Sequence, residues 1–444
     1  MTSEPATVPP PDALPNPRGG AVRAADAALA AAAAAADAAH AAHAAERHAD
    51  AAAPLAEAAA VLAEAGWLPA ARFAGQLAAG APFAATASEA DVAAWRAALR
   101  DFRAAVGRHN LRELACSPVL FAHFRTLRAL TGGGAPAAVP LDALALVGRA
   151  VPAASLRALP GGFAARVRAR YEQALLGALR AENPASGPAL DELDAIAAAL
   201  ADDTPYDFWR LAAACMRALR ASGAPDLKRF LARTNLLLAE HANGRPYAPP
   251  DLVRETVALL WRDFALFGAA AEDAALVDVL HDYGLTVDWH VAGTPGSEAL
   301  WEGDAARAEH DALAAAPTRT LGVVTVNAHA YEDFLQTADA SMTDLSVHPA
   351  AADAGAAWRA SAAAYRVGAA ACALGLGHAA LLADTLGLAW RRAAHGLPLA
   401  GSARDVHARA ADMLRAALLK IAAGVAPPDL TAGSEALGTA LGRP

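Results

Sequence analysis

Three stretches of this 444-residue chain place residue types that do chemistry at workable spacings. His40, His43 and His48 stand with Glu46 in an alanine-rich run, and imidazole is a common metal ligand. His40 and His43 are one helical turn apart and can share an ion. His48, however, lies about 140° round the helix from His43, and the usual zinc spacings are missing. A solvated helix face is expected there, with no metal. Asp288, His290 and Ser297 supply the residue types of a hydrolase triad, but no G-x-S-x-G elbow or strand–turn–helix context surrounds them. The third stretch, residues 358–395 (WRASAAAYRVGAAACALGLGHAALLADTLGLAWRRAAH), holds only two histidines, His378 and His395.

Composition narrows the classes. The hydrophobic fraction of 56% is inflated by alanine, and aromatics make up 6%. Apolar runs are broken by Asp, Arg or Glu before they reach spanning length, so no membrane span is expected. Glu4 and the prolines at 5, 9, 10 and 11 argue against a secretory leader, and a cytoplasmic protein is expected. A net charge of −9 with no dominant basic patch argues against nucleic acid. Cys116, Cys215 and Cys372 are far apart inside helical patterns and read as small buried hydrophobes. No cofactor is expected, because no Glu-x-x-His pairing or other convergent ligand set is present.

The elements follow from periodicity. Period-2 strands are almost absent, and an all-α fold of several antiparallel bundles in tandem is predicted. Residues 1–20 read as a disordered tail. Residues 21–135 form a first bundle, with helices ending at Gly66 and apolar stripes Trp95, Leu99, Phe102, Val106 and Leu120, Phe121, Phe124, Leu127. Residues 136–320 hold a linker (136–162) and a second bundle. Its stripes are Val167, Tyr171, Leu175, Leu179, then Phe208, Leu211, Ala212, Cys215, Leu219, then Leu227, Phe230, Leu231, Leu238. Thr204 reads as an N-cap with Pro205 first in the helix, and Lys228, Arg229 and Arg233 form a basic edge. Residues 321–425 make the last, four-helix bundle, opened by an extended LGVVTV and an Asn327 cap. Its signature stripe is Trp358, Ala362, Tyr365, Ala369, Cys372, Leu376, followed by Leu381, Leu382, Leu386 and Trp390. Residues 426–444 read as a flexible tail. The turn EAGWLPAARFAGQL resembles GLGHAALLADTL in the last bundle, a hint of an internal repeat.

The pair of helices across 358–395 resembles a histidine-phosphotransfer module, whose segment H-x-x-K-G-x-x-x-x-x-G-[LF] places the phosphoryl-accepting histidine ten residues before a glycine. Counting back from Gly375 lands on Tyr365. The family's lysine and first glycine fall on Gly368 and Ala369, and ten residues before Gly66 is Ala56. The resemblance implies a scaffold whose acceptor chemistry is gone: tyrosine, with a pKa near about 10, offers no neutral ring nitrogen. His378 is the first alternative acceptor, and its exposure is the discriminator. RARYEQALLGAL, PYDFWRLAAACMRAL and DLKRFLARTNLLL are in turn similar to the N-terminal region of the CheA-like kinases of type IV pilus chemotaxis (PilL/ChpA type) and to the stand-alone FimL-like proteins. That resemblance covers roughly residues 50–425 and lacks any ATP-binding, CheW-like or receiver domain. It implies a non-catalytic regulator of twitching motility or cyclic-AMP signalling, sited at the cell pole, that docks on a chemotaxis-type kinase or polar pilus-assembly factors.

Overall fold

In the computed structural model the described residues are 21–42, 45–84, 87–108, 110–132, 139–181, 187–221, 226–267, 274–286, 318–348 and 352–442. They are organised as eighteen α-helices with one small sheet, packed on one large hydrophobic core and a small separate cluster around Trp390. None of the described helices is long and apolar enough to cross a membrane.

The N-terminal helices are α1 (Arg23–Ala41), a 3-10 turn (Ala45–Ala51), α2 (Ala52–Glu64), α3 (Leu68–Ala84), α4 (Glu89–Gly107), α5 (Leu111–Cys116) and α6 (Pro118–Leu130). Local chemistry sets their starts. Ser88 accepts from the Asp91 amide to cap α4, and Ser117 accepts from Leu120 ahead of Pro118 at the first position of α6. The expected stripes of α4 and α6 are buried. Phe73 stacks on Phe102 at 4.6 Å, and the Trp95 indole donates to the Leu77 carbonyl at 3.1 Å.

The segment expected as a linker is held on both sides. After the short α7 (Asp142–Ala145), the Ser155 amide donates to the Tyr206 carbonyl at 2.8 Å, and the Phe208 amide donates to the Ser155 carbonyl at 2.9 Å. Ala248 and Leu156 complete the clasp with bonds to Ala154 and Pro246. Burying Ala154 and Leu156 requires these backbone bonds, because a buried strand cannot leave its polar groups unpaired.

The middle helices are α8 (Gly161–Arg180), α9 (Pro188–Leu200), α10 (Phe208–Ala221), α11 (Leu227–Ala242), α12 (Pro250–Phe267) and α13 (Ala274–Asp282). Three expectations change here. Leu179 points to solvent instead of the core. The α10 cap is Asp207, whose carboxylate accepts from the Arg210 amide, because Thr204 and Pro205 lie before the helix begins. The basic edge is used internally: Arg229 and Arg233 both pair with Glu255, Arg233 also reaches Asp251, and Lys228 donates to the carbonyls of Leu179 and Ala181.

Strands β1 (Ala21–Val22), β2 (Thr318–Leu321) and β3 (Val324–Asn327) form an antiparallel sheet in the order β1-β3-β2. Ala21 pairs with Thr325, so the start of α1 is tied to the C-terminal helices. Those are α14 (Ala328–Leu345), α15 (Ala354–Ala373), α16 (Gly377–Ala394), α17 (Ser402–Ala422) and α18 (Thr431–Leu441). Asn327 caps α14 by accepting from His329 and Ala330. The expected flexible tail instead contains α18, which packs on α16 and α17 with Leu437 and Leu441 fully buried. A three-leucine face (Leu430, Leu437, Leu441) gives this short helix enough apolar area to fold against the bundle.

Candidate functional site

The candidate site is the face of α15 on which a phosphotransfer module would present its acceptor. A side chain there must project into solvent, and here the face is closed. Tyr365 is 4% exposed, and its hydroxyl donates to the His281 carbonyl of α13 at 2.7 Å. Its ring stacks on the His281 imidazole at 5.4 Å and lies against Gly387, where any Cβ would overlap it. Burial pushes the phenol well above its ordinary pKa, so it stays neutral. One turn on, at the position of the family's lysine, Gly368 makes room for the Asp384 carboxylate.

The predicted stripe therefore needs correction. Tyr365 and Ala369 are buried, but Ala362 faces solvent and Trp358 is only partly covered. Alanines at 357, 360, 363, 364, 370 and 371 let α15 pack on two sides, so no single face is the core face. Helix α16 goes further and is buried at every residue from Gly377 to Arg391. A helix enclosed on all sides is normally apolar, so the charges on α16 mark the joints with its neighbours.

Two such joints flank Tyr365. Asp384 pairs with Arg149 at 2.8 Å, and the Arg149 guanidinium lies 5.1 Å from the Trp261 ring. Burial raises the Asp384 pKa, with Arg149 and then Arg112 opposing that shift. At the other end, Asp282 is 1% exposed and receives Arg391 at 2.5 Å, Arg210 at 2.9 Å and His395 at 3.0 Å. Arg391 also lies over Trp358 at 4.6 Å. A buried carboxylate held by two guanidiniums and an imidazole joins the middle helices to the C-terminal ones. The sequence signals this cluster only through the charges of a largely apolar helix, Asp384, Arg391 and Arg392, and nothing local says which distant residues pair with them.

The relocated-acceptor test comes out against His378. It is 7% exposed, stands in the first turn of α16 instead of mid-helix, and its Nε2–H donates to the Glu64 carbonyl at 2.9 Å. The reason is a close approach of two turns. Helices α2 and α15 end alike. Gly66 (φ 76°) and Gly375 (φ 75°) donate three residues back, to Ala63 and Cys372, and Trp67 and Leu376 donate five back, to Leu62 and Ala371. The two turns then pack together: the Trp67 indole donates to the Gly375 carbonyl at 2.7 Å, and a Cβ at Gly66 or Gly377 would overlap the facing backbone. The weak sequence similarity between these turns thus corresponds to shared cap geometry and direct contact.

The other chemical candidates do not assemble. His40 is exposed, whereas His48 is buried edge-on against Trp95 at 6.0 Å, so the expected solvated face does not include it. His48 stands in the 3-10 turn Ala45–Ala51. His43, and Asp288, His290 and Ser297, lie outside the described residues. Among the described residues no group of three or more His, Cys, Asp or Glu is placed to hold a metal. Cys116 and Cys215 are buried, with thiols pushed up by burial.

Residues 158–289, which contain α8 to α13, match the family model described as the second domain of the FimL scaffold protein. No curated protein and no solved structure matches the chain. The matched segment, under a third of the chain, is the one that supplies His281 and Asp282 to the closed face of α15, and over those residues the chain is similar to the second domain of the FimL scaffold protein.

Proposed function

We propose that this protein is a FimL-like, non-catalytic scaffold or regulator in a type IV pilus chemosensory pathway, working through protein–protein contacts at the cell pole and influencing twitching motility or cyclic-AMP signalling. The partners proposed are a chemotaxis-type kinase or polar pilus-assembly factors. The observation that carries the reading is Tyr365. The residue in acceptor register is a buried neutral phenol bonded to the His281 carbonyl, so the face that would meet a phosphodonor is covered by the chain's own α13 and α16. The FimL scaffold match supports the scaffold half of the proposal.

The test is phosphotransfer. Purified protein is mixed with an autophosphorylated chemotaxis-type kinase of the pilus class and its receivers, then scored for acid-labile phosphate. No label, with helicity intact by circular dichroism, is the expected result. A stoichiometric label lost in His378→Gln would overturn it and make the protein a relay intermediate.

A further inference from the structure

The scaffold reading needs a surface, and the N-terminal helices carry one with a definite shape and charge. A groove of about 620 Å³ lies between α1 and α4. Its lining is mostly small and apolar, with Ala33 and Ala36 from α1 and Ala93, Ala97, Leu99 and Ala104 from α4, beside the Asp37 carboxylate. Along one edge run Arg96, Arg100 and Arg103, at positions i, i+4 and i+7, which place three guanidiniums in one stripe.

The stripe is only partly neutralised. Arg96 reaches Asp37 across the groove at 2.8 Å, in a pair open to water on the Asp37 side. Arg100 has a side chain 75% exposed and pairs with its neighbour Asp101, which also holds His123. Arg103 is attracted to Asp26, whose half-buried carboxyl has its pKa raised first of all by burial. Exposed pairs of this kind are weak and readily exchanged for another carboxylate.

We infer that this groove seats an acidic amphipathic helix from a protein partner, with the helix's small apolar face on the alanines and its carboxylates on Arg96, Arg100 and Arg103. Helices α1 and α4 spend their backbone donors and acceptors internally, so an extended peptide would lie on the alanine floor with its own backbone unpaired. A helix arrives with its backbone satisfied and packs as a ridge into the groove. From Ala93 to Ala104 the groove edge is about 16 Å long, roughly three turns of a docked helix. The basic stripe concentrates positive charge locally in a chain of net charge −9, and a partner carboxylate takes the place of the exposed Asp37 on Arg96.

This inference deepens the scaffold proposal and rests on it, and its test is separate. A stapled helical peptide of about five turns, alanine and leucine on one face and Glu at i, i+4 and i+7, is labelled and titrated with the full chain by fluorescence anisotropy. Saturable binding is expected. It should weaken by about tenfold for the Gln-for-Glu peptide, or when Arg96, Arg100 and Arg103 are all changed to Gln, and it should weaken with added salt. Ala97→Trp, which fills the groove and leaves the charges, should abolish it. No binding by the Glu peptide, equal binding by a Lys-for-Glu peptide, or binding unchanged in Ala97→Trp overturns the inference. Concentration-dependent dimerisation by light scattering that Ala97→Trp removes would also overturn it, by making a second copy the occupant. A phosphohistidine label would end the scaffold reading without moving the anisotropy result. A silent peptide with no label would end the groove alone.

Discussion

Placing a histidine at Tyr365 is the sharpest perturbation of the closed face. If Tyr365 occupied an exposed acceptor position that had merely lost its histidine, Tyr365→His would be tolerated and would accept phosphate. The structure gives the opposite expectation. Removing the hydroxyl in Tyr365→Phe deletes one buried hydrogen bond, but the His281 carbonyl keeps the Gly284 amide at 3.1 Å and is not orphaned. The cost is therefore about 1 kcal/mol. Tyr365→His removes the same bond, opens space against Gly387 and the His281 ring, and leaves an imidazole with poor partners. Together these bring the expected loss to about 2–4 kcal/mol. Urea unfolding of both variants measures the stabilities, and incubation with an autophosphorylated chemotaxis-type kinase measures acceptance. The order wild type, then Phe, then His, with no acid-labile label on any of them, is expected. A Tyr365→His protein as stable as wild type and stoichiometrically labelled would refute the burial argument and the packing of α13 on α15 with it.

Further expectations concern the joints and the core. Gly66 and Gly132 share a left-handed backbone (φ 76° and 77°), but a Cβ at Gly66 would overlap the His378 backbone whereas one at Gly132 meets open space. Gly132→Ala should cost about 1–2 kcal/mol from backbone strain and Gly66→Ala more than about 3 kcal/mol, and equal thermal shifts would contradict the turn-on-turn contact. The His407 pKa is pushed down to about 4 by burial, with nearby His348 adding to the effect. The unfolded chain therefore binds more protons than the folded one between about pH 6.5 and 4, and stability that is whole above about pH 6.5 should fall as pH drops through that window. His407→Leu should remove up to about 3 kcal/mol of that pH dependence in urea titrations at paired pH values, and an unchanged slope would show that His407 is not buried neutral. Leu437 is fully buried on the inner face of α18, so Leu437→Ala should cost about 2–4 kcal/mol, against no effect if the end of the chain were a loose tail.

Much of the architecture was legible because it is local. Apolar residues at helical spacing name the buried faces of α4, α6, α10 and α11, and Gly66, Gly375 and Asn327 mark helix ends by chemistry confined to a few residues. Where side chains are mostly alanine, periodicity carries little information. That is why periodicity places Ala362 on the buried stripe of α15, whereas α18 reads as a tail because Gly, Ser and Thr dilute its leucines.

The sequence alone determined that the chain is helical and where most helices stop. Tertiary structure decided how Tyr365 is held. The Tyr365 hydroxyl meets the His281 carbonyl across 84 residues, and Asp282 gathers Arg210, Arg391 and His395 from distant helices. Neither contact leaves a periodic trace. Pairing between buried polar groups depends on which helices are brought together, and that is set by the summed packing of many apolar faces rather than by any local run of residues.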